Sequence, residues 1–177
     1  NVLGHGKKAR VEYVSANPTG PIHFGNVRGG PIGETLSRVF EKSGYKVLRE
    51  YIHNDVGNQV DKLGRTFWYW YEKERGKEVE FPTDGYPGEH LERVVKAATE
   101  KLGKQLNEAD LPKLLAFGLE YIFAENLETL AKIGIKFDYI VKESEIISSG
   151  KTKKAVEAVK KAGAAKEQES ALWFAPG

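Results

Sequence analysis

Apolar and polar positions alternate at the start of the chain. Val11 and Tyr13 alternate with Glu12 among β-rich residues, which predicts a short strand over Val11 to Ser15. Asn17-Pro18-Thr19-Gly20-Pro21 can neither continue that strand nor begin a helix, because its prolines remove ladder donors and Gly20 permits a tight reversal. The period then changes. Ile32, Leu36, Val39 and Phe40 recur at helical spacing and predict a helix from Asn26 to Ser43, with Gly44 as the left-handed residue that closes it. Pro31 falls inside this helix and removes the hydrogen bond to Val27, so a kink or a delayed start is expected. Val47, Leu48, Tyr51 and Ile52 make Lys46 to Ile52 a largely buried strand. Strand, crossover helix and strand in that order imply a right-handed unit with parallel strands. Ligands of such sheets bind beyond the carboxyl ends of the strands, where Ser15 to Asn26 lies.

Asn54-Asp55 offers an N-cap to a helix whose apolar stripe is Val56, Val60, Leu63 and Phe67. The run Phe67-Trp68-Tyr69-Trp70-Tyr71 wraps every side of that helix, and packing explains it better than base stacking. Gly76 to Gly88 is turn-rich and marks an excursion from the sheet. Leu91, Val94, Val95, Ala98 and Leu102 then predict a helix ended by Gly103. A longer one runs from Asp110, with Leu111, Leu115, Leu119, Ile122, Phe123, Leu127, Leu130 and Ile133 on its apolar side and Gly134 after it. Two adjacent amphipathic helices suggest an antiparallel pair. Ile135, Phe137, Tyr139 and Val141 alternate as a third, parallel strand with Glu143 at its carboxyl end. Lys151 to Ala162 reads as a basic helix with Val156 and Val159 inside and its lysines on a solvated face, and Ala171 to Phe174 as one more short strand.

Composition narrows the setting. With 177 residues, 40% hydrophobic and 29% charged, the chain can bury a sizeable core. No apolar run approaches the roughly 18 residues of a membrane span, and the first residues lack the apolar core of a signal peptide, so a cytoplasmic address is expected. The absence of cysteine excludes disulfides and thiolate chemistry. A formal charge of +2 is too small to announce a nucleic-acid surface. The absence of methionine suggests a piece of a longer protein. His5, His53 and His90 have no metal-ligand spacing, so no tightly bound, protein-ligated metal is expected.

The candidate chemistry lies at His23 to Asn26, the predicted helix entrance. Backbone amides there lack intrahelical partners and the dipole is positive, which favours an anion. His23 and Asn26, three apart, face one way as donors, and Gly25 lets a ligand approach the backbone. This suits a polyphosphate, and each donor fixed where charge develops during phosphoryl displacement is worth about 3 kcal/mol.

His23-Phe24-Gly25-Asn26 resembles the His-x-Gly-His signature of class I aminoacyl-tRNA synthetases. Val11 to Pro21, Val27-Arg28-Gly29 and Arg49 to Gln59 extend the likeness to the arginyl-tRNA synthetases. The resemblance implies an α/β fold, the first half of a Rossmann-like parallel sheet with a helical insertion. Residues 1–75 would form the first βαβ unit and the following helix, 76–134 the helical excursion, and 135–177 the third strand and the start of a connective insertion. It also implies a reaction in which the carboxylate of L-arginine attacks the α-phosphate of ATP, brought with Mg as substrate, before the arginyl group passes to tRNA(Arg). His23, Gly25 and Asn26 would bind ATP, with His23 and Asn26 catalytic, while Glu12, Ser15, Asn17 and Glu143 would hold arginine. Asn26 departs from the family's second histidine but keeps a neutral donor. Gly20 stands where some arginyl enzymes without the Lys-Met-Ser-Lys-Ser loop carry a lysine. That loop, the later strands and the anticodon-binding helices are absent from these residues, so this piece alone is expected to be inactive or very weak.

Other readings stay open. The chain could come from another His-x-Gly-His nucleotidyltransferase or class I synthetase, such as the cysteinyl one, or from a non-catalytic paralogue. By residue type alone, Glu12 could be an exposed edge residue or pair with Arg10 or Arg49, and Glu143 could be a surface carboxylate. Asp55 and Gly57 read as capping and turn residues, and His53 as packed beside the pocket through Asn54.

Overall fold

The computed structural model describes residues 2–176. Strands β1 (Lys8–Glu12), β2 (Lys46–His53) and β3 (Tyr139–Lys142) form a parallel sheet in the order β1-β2-β3. Lys8 pairs with Lys46 and Glu50 with Tyr139. Helices α1 (Phe24–Val27) and α2 (Gly29–Lys42) connect the first two strands. Helices α3 (Asn58–Glu74), α4 (Glu89–Leu102) and α5 (Leu111–Lys132) separate the second from the third. Helices α6 (Glu143–Ser148) and α7 (Lys151–Lys161) follow, then an antiparallel hairpin of β4 (Ala165–Gln168) and β5 (Ala171–Phe174). The strand expected at Ala171 to Phe174 thus pairs with residues just before it and lies outside the main sheet.

Several boundaries differ from the periodicity, each for a physical reason. The first strand starts at Lys8 and stops at Glu12, not over Val11 to Ser15, because Val14 and Ser15 turn into the left-handed region (φ 68° and 39°). The expected helix from Asn26 is split at Arg28 into α1 and α2. Pro31, in the first turn of α2, needs no intrahelical partner there. Helix α3 begins at Asn58 behind Gly57, so Asn54 and Asp55 do not cap it. The third strand is confined to Tyr139–Lys142, while Ile135 is buried in the core before it. Val156 is exposed, not inside.

Helix α2 meets the sheet through its smallest residues. Gly30, Gly33 and Ser37 are its buried positions, whereas Ile32, Leu36 and Val39 face outward. A Cβ at Gly33 would lie 2.2 Å from the Tyr13 ring and one at Gly30 2.3 Å from Ile135, so only glycine lets this helix approach so closely.

Two clusters make the core. One joins α3, α4 and α5 through Leu63, Phe67, Tyr71, Leu91, Val94 and Leu114. The other joins the sheet to the C-terminal half of α5 through Val11, Tyr13, Tyr51, Phe123, Leu130 and Ile135. Helix α5 therefore ties the helical excursion to the sheet. Of the aromatic run, Phe67 and Tyr71 are fully buried, and Tyr71 Oη accepts a 2.7 Å bond from the Leu106 amide.

Arg49 on β2 anchors the outer side of the sheet. Its guanidinium binds Glu34 at 2.9 Å and Glu41 at 2.7 Å, and Glu34 also accepts from Tyr13 Oη at 2.8 Å. Burial would raise the Glu34 carboxyl, but hydrogen bonds from Arg49, Arg38 and Tyr13 outweigh it and hold the group at about 2.

Two outcomes follow from this packing. The Glu34 contribution to stability is complete above the ordinary glutamate value of 4.5 and is lost as pH falls toward about 2. Urea denaturation of Glu34→Gln should accordingly show a deficit against the parent that shrinks between those pH values. Separately, a Cβ at Gly118 of α5 would lie 2.2 Å from the Phe67 ring, so Gly118→Ala forces α3 and α5 apart. It should cost about 1 to 3 kcal/mol in the same measurement.

Candidate active site

The site begins where β1 ends. A left-handed conformation in a residue other than glycine costs roughly 1–3 kcal/mol, and Val14 and Ser15 adopt it in succession. β2 holds them there. The Ile52 amide donates to Ser15 Oγ at 3.0 Å, and Tyr51 Oη donates to the Ala16 carbonyl at 2.9 Å. The hydroxyl of Ser15 thus replaces a ladder carbonyl, and the sheet stays satisfied while the main chain swings away.

The following turn is gripped from α5. Asn126, 2% exposed, accepts from the Ile22 amide at 2.8 Å and donates to the Gly20 carbonyl at 3.2 Å. Sequence reasoning missed this residue. Its signal was a polar amide among Ile122, Phe123, Leu127 and Leu130, at a spacing that otherwise selects apolar side chains.

His23 is the N-cap of α1 and is exposed; its Nδ1 accepts from the Gly25 amide at 3.1 Å. The ring proton of the neutral imidazole therefore sits on Nε2, which is left to donate. Ala16, Asn17, Gly20, His23, Asn26 and His90 line a cavity of about 400 Å³. Gly25 is not among its lining residues, and its amide is spent on His23. The Asn26 and Val27 amides also turn inward, to the His23 carbonyl at 2.9 and 3.0 Å. These three amides therefore form no open cradle of the kind expected at a helix entrance, and the donors this cavity offers come from the His23 and Asn26 side chains.

His90, from the start of α4, closes the same cavity. A Cβ at Gly20 would lie 2.9 Å from its Nε2, so the imidazole occupies the space a side chain at position 20 would take. Burial lowers its pKa and keeps the ring neutral. Nothing near His90 in the sequence signals this placement, which depends on how α4 packs.

Glu12, Ser15, Asn17, Asn54, Glu143 and Thr152 line a second cavity of about 410 Å³. Asn17 belongs to both. Glu12 is exposed, and the cations considered for it are engaged elsewhere: Arg10 with Glu50 at 3.3 Å, Arg49 with Glu34 and Glu41. Glu143, half-buried, is the first residue of α6. With its amide nitrogen turned toward Glu143, Asn54 donates to that carboxylate and to the Val56 carbonyl at 3.0 Å. Asp55 accepts from the Ser144 amide at 2.9 Å and from Ser144 Oγ at 2.6 Å. His53 is buried against the Phe123 ring at 4.1 Å between centroids, and burial lowers its pKa. Among the described residues no three His, Cys, Asp or Glu side chains gather as a metal site would require.

Comparison with known proteins bears on this geometry. The family model for the catalytic domain of class I (R) tRNA synthetases matches residues 1–174. The arginine–tRNA ligase of Acetivibrio thermocellus is 38% identical over 178 residues, covering 97% of this chain and 32% of its own length. That of Bacillus subtilis is 38% identical over 176 residues, with the same coverage. The chain thus spans about a third of the length of these curated relatives. A Campylobacter jejuni structure described as a putative arginyl-tRNA synthetase superposes with a TM-score of 0.80 at 34% identity, over 96% of this chain and 38% of the other. The Thermus thermophilus arginyl-tRNA synthetase shares the fold, with a TM-score of 0.61 at 19% identity over 97% of this chain and 29% of its own. A match across nearly every residue, over a parallel sheet whose strand ends carry the His23 turn, makes this chain a member of the class I arginyl-tRNA synthetase catalytic-domain family.

Proposed function

We propose that this chain supplies the arginine- and ATP-binding half of a catalytic domain that activates L-arginine and delivers it to tRNA(Arg). The supporting observation is the pair of adjoining cavities beyond the strand ends, which have Asn17 as a common wall. One carries two carboxylates, Glu12 and Glu143; the other carries the donors His23 and Asn26. A planar guanidinium is held best by paired carboxylate oxygens, and a triphosphate by neutral and cationic donors. In this reading residues 1–75 contribute to the walls of both cavities, 135–177 complete the two-carboxylate cavity, and the helical excursion 76–134 adds His90 to the other.

The chemistry is positioning and charge stabilisation. Arginine lies with its guanidinium between Glu12 and Glu143 and its carboxylate directed past Ser15 toward Asn17. A carboxylate oxygen attacks the α-phosphorus of ATP, a bond to that phosphorus forms, and the bond to the bridging oxygen breaks to release pyrophosphate. His23 donates from Nε2 to the phosphate oxygens as charge builds, and Asn26 donates from the adjacent turn. Gly25 serves by leaving room for the imidazole, since a Cβ there would lie 3.0 Å from the His23 ring. Magnesium enters with ATP as part of the substrate, and the site of action is the cytoplasm. No helix of the described residues is long and apolar enough to cross a membrane.

ATP–pyrophosphate exchange by the full-length protein that carries this chain, assayed with arginine and its tRNA, tests the reading. Exchange should depend on arginine. Exchange with a different amino acid only, or none, would retire the assignment. His23→Ala should lower the exchange rate by about 100- to 1,000-fold. Because His23 is exposed and its side chain makes only the local capping bond to Gly25, the variant should lose no more than about 1 kcal/mol of stability.

A further inference from the structure

Helix α6 begins without a cap of its own. Lys142, at its N-cap position, makes no side-chain capping bond, yet the first residue, Glu143, borders the two-carboxylate cavity. A carboxylate whose supporting turn can fray is a poor partner for a planar cation, because bidentate binding depends on a fixed oxygen pair. The missing restraint comes from 89 residues away. Asp55, just past the end of β2, takes the Ser144 amide on Oδ1 and the Ser144 hydroxyl on Oδ2. Next to it, Asn54, with its amide nitrogen turned toward the carboxylate, donates to Glu143 itself.

Burial would raise the Asp55 carboxyl, and the two bonds from Ser144 outweigh it, so the group stays ionised. The segment Asn54–Asp55 also follows directly from β2, whose amide at Ile52 holds Ser15 on the opposite wall of the cavity. One short piece of backbone therefore references both walls of the cavity.

We propose that Asp55 is a positioning residue for arginine: through Ser144 it locks the first turn of α6, so that Glu143 is presented across the cavity from Glu12. This rests on the assignment of the two-carboxylate cavity to arginine. A cap that served stability alone would lower the melting temperature and leave substrate discrimination untouched. A positioning residue on the carboxylate wall acts on arginine and spares ATP, whose donors lie beyond Asn17.

The test measures KM for arginine and for ATP separately, by pyrophosphate exchange with the full-length protein. Asp55→Ala and Ser144→Ala should each raise the arginine KM about tenfold, with the ATP KM changed less than about twofold. Ser144→Thr, which retains a hydroxyl on the same partner, should restore the parent value. Should Asp55→Ala fail to fold, Ser144→Ala decides, since it keeps the amide bond to Asp55. An arginine KM unmoved in Ser144→Ala, or an ATP KM that rises in step with it, overturns the proposal while leaving the assignment to arginine standing. A parent that shows no exchange with arginine overturns both.

Discussion

The departure of the chain from β1 is the constraint on which the rest of the site depends. Two consecutive residues that carry a Cβ sit in left-handed backbone at Val14 and Ser15, and nothing in their own chemistry favours it. The conformation persists because β2 supplies replacement bonds, the Ile52 amide to Ser15 Oγ and the Tyr51 hydroxyl to the Ala16 carbonyl. Release of either would let the strand run on toward residue 15, and the turn that carries His23 would leave the sheet end. Local strain is thus held by tertiary bonds, a pattern that clusters where ligands bind.

The helical excursion has a related task. It leaves the sheet after β2 and returns through α5, whose N-terminal half packs on α3 and α4 and whose C-terminal half packs on the sheet. The return brings Asn126 under the turn at Gly20 and Ile22, and α4 brings His90 against Gly20. The polar groups that define the cavity of His23 are therefore positioned from two sides: from the strands by Ser15 and Ala16, and from the excursion by Asn126 and His90. Asp55 does the corresponding work on the carboxylate side.

Much of the framework was legible in the order of periodicities. Parallel strands around a crossover helix, a turn-rich excursion and a long amphipathic return all follow from spacing, because burial on one face leaves a mark every two or every three to four residues. What spacing does not encode is which face of a helix meets which neighbour. The stripe Ile32, Leu36 and Val39 is the apolar side of α2, yet the sheet is met by Gly30, Gly33 and Ser37, since close approach selects small residues rather than greasy ones. Likewise, alternation through Val11 and Tyr13 carries no sign of the reversal at Val14. Among the site residues, Glu12, Ser15, Asn17, His23, Asn26 and Glu143 could be named from resemblance to a family. Asn126 and the Asp55–Ser144 pair could not, because their partners lie 104 and 89 residues distant: a polar amide on the apolar side of a helix marks Asn126 as unusual without saying what it binds, and Asp55 and Ser144 carry no mark at all.

Asn17 borders both cavities, and this has an evolutionary corollary. A side chain that serves as a party wall cannot drift to suit one tenant without disturbing the other. If arginine and ATP are the two tenants, a change of amino-acid preference in this scaffold has to be made on the far wall, at Glu12 and Glu143, where charge can be altered without disturbing the phosphate side. Position 17 is then the hinge of specificity by being the one place that cannot specialise.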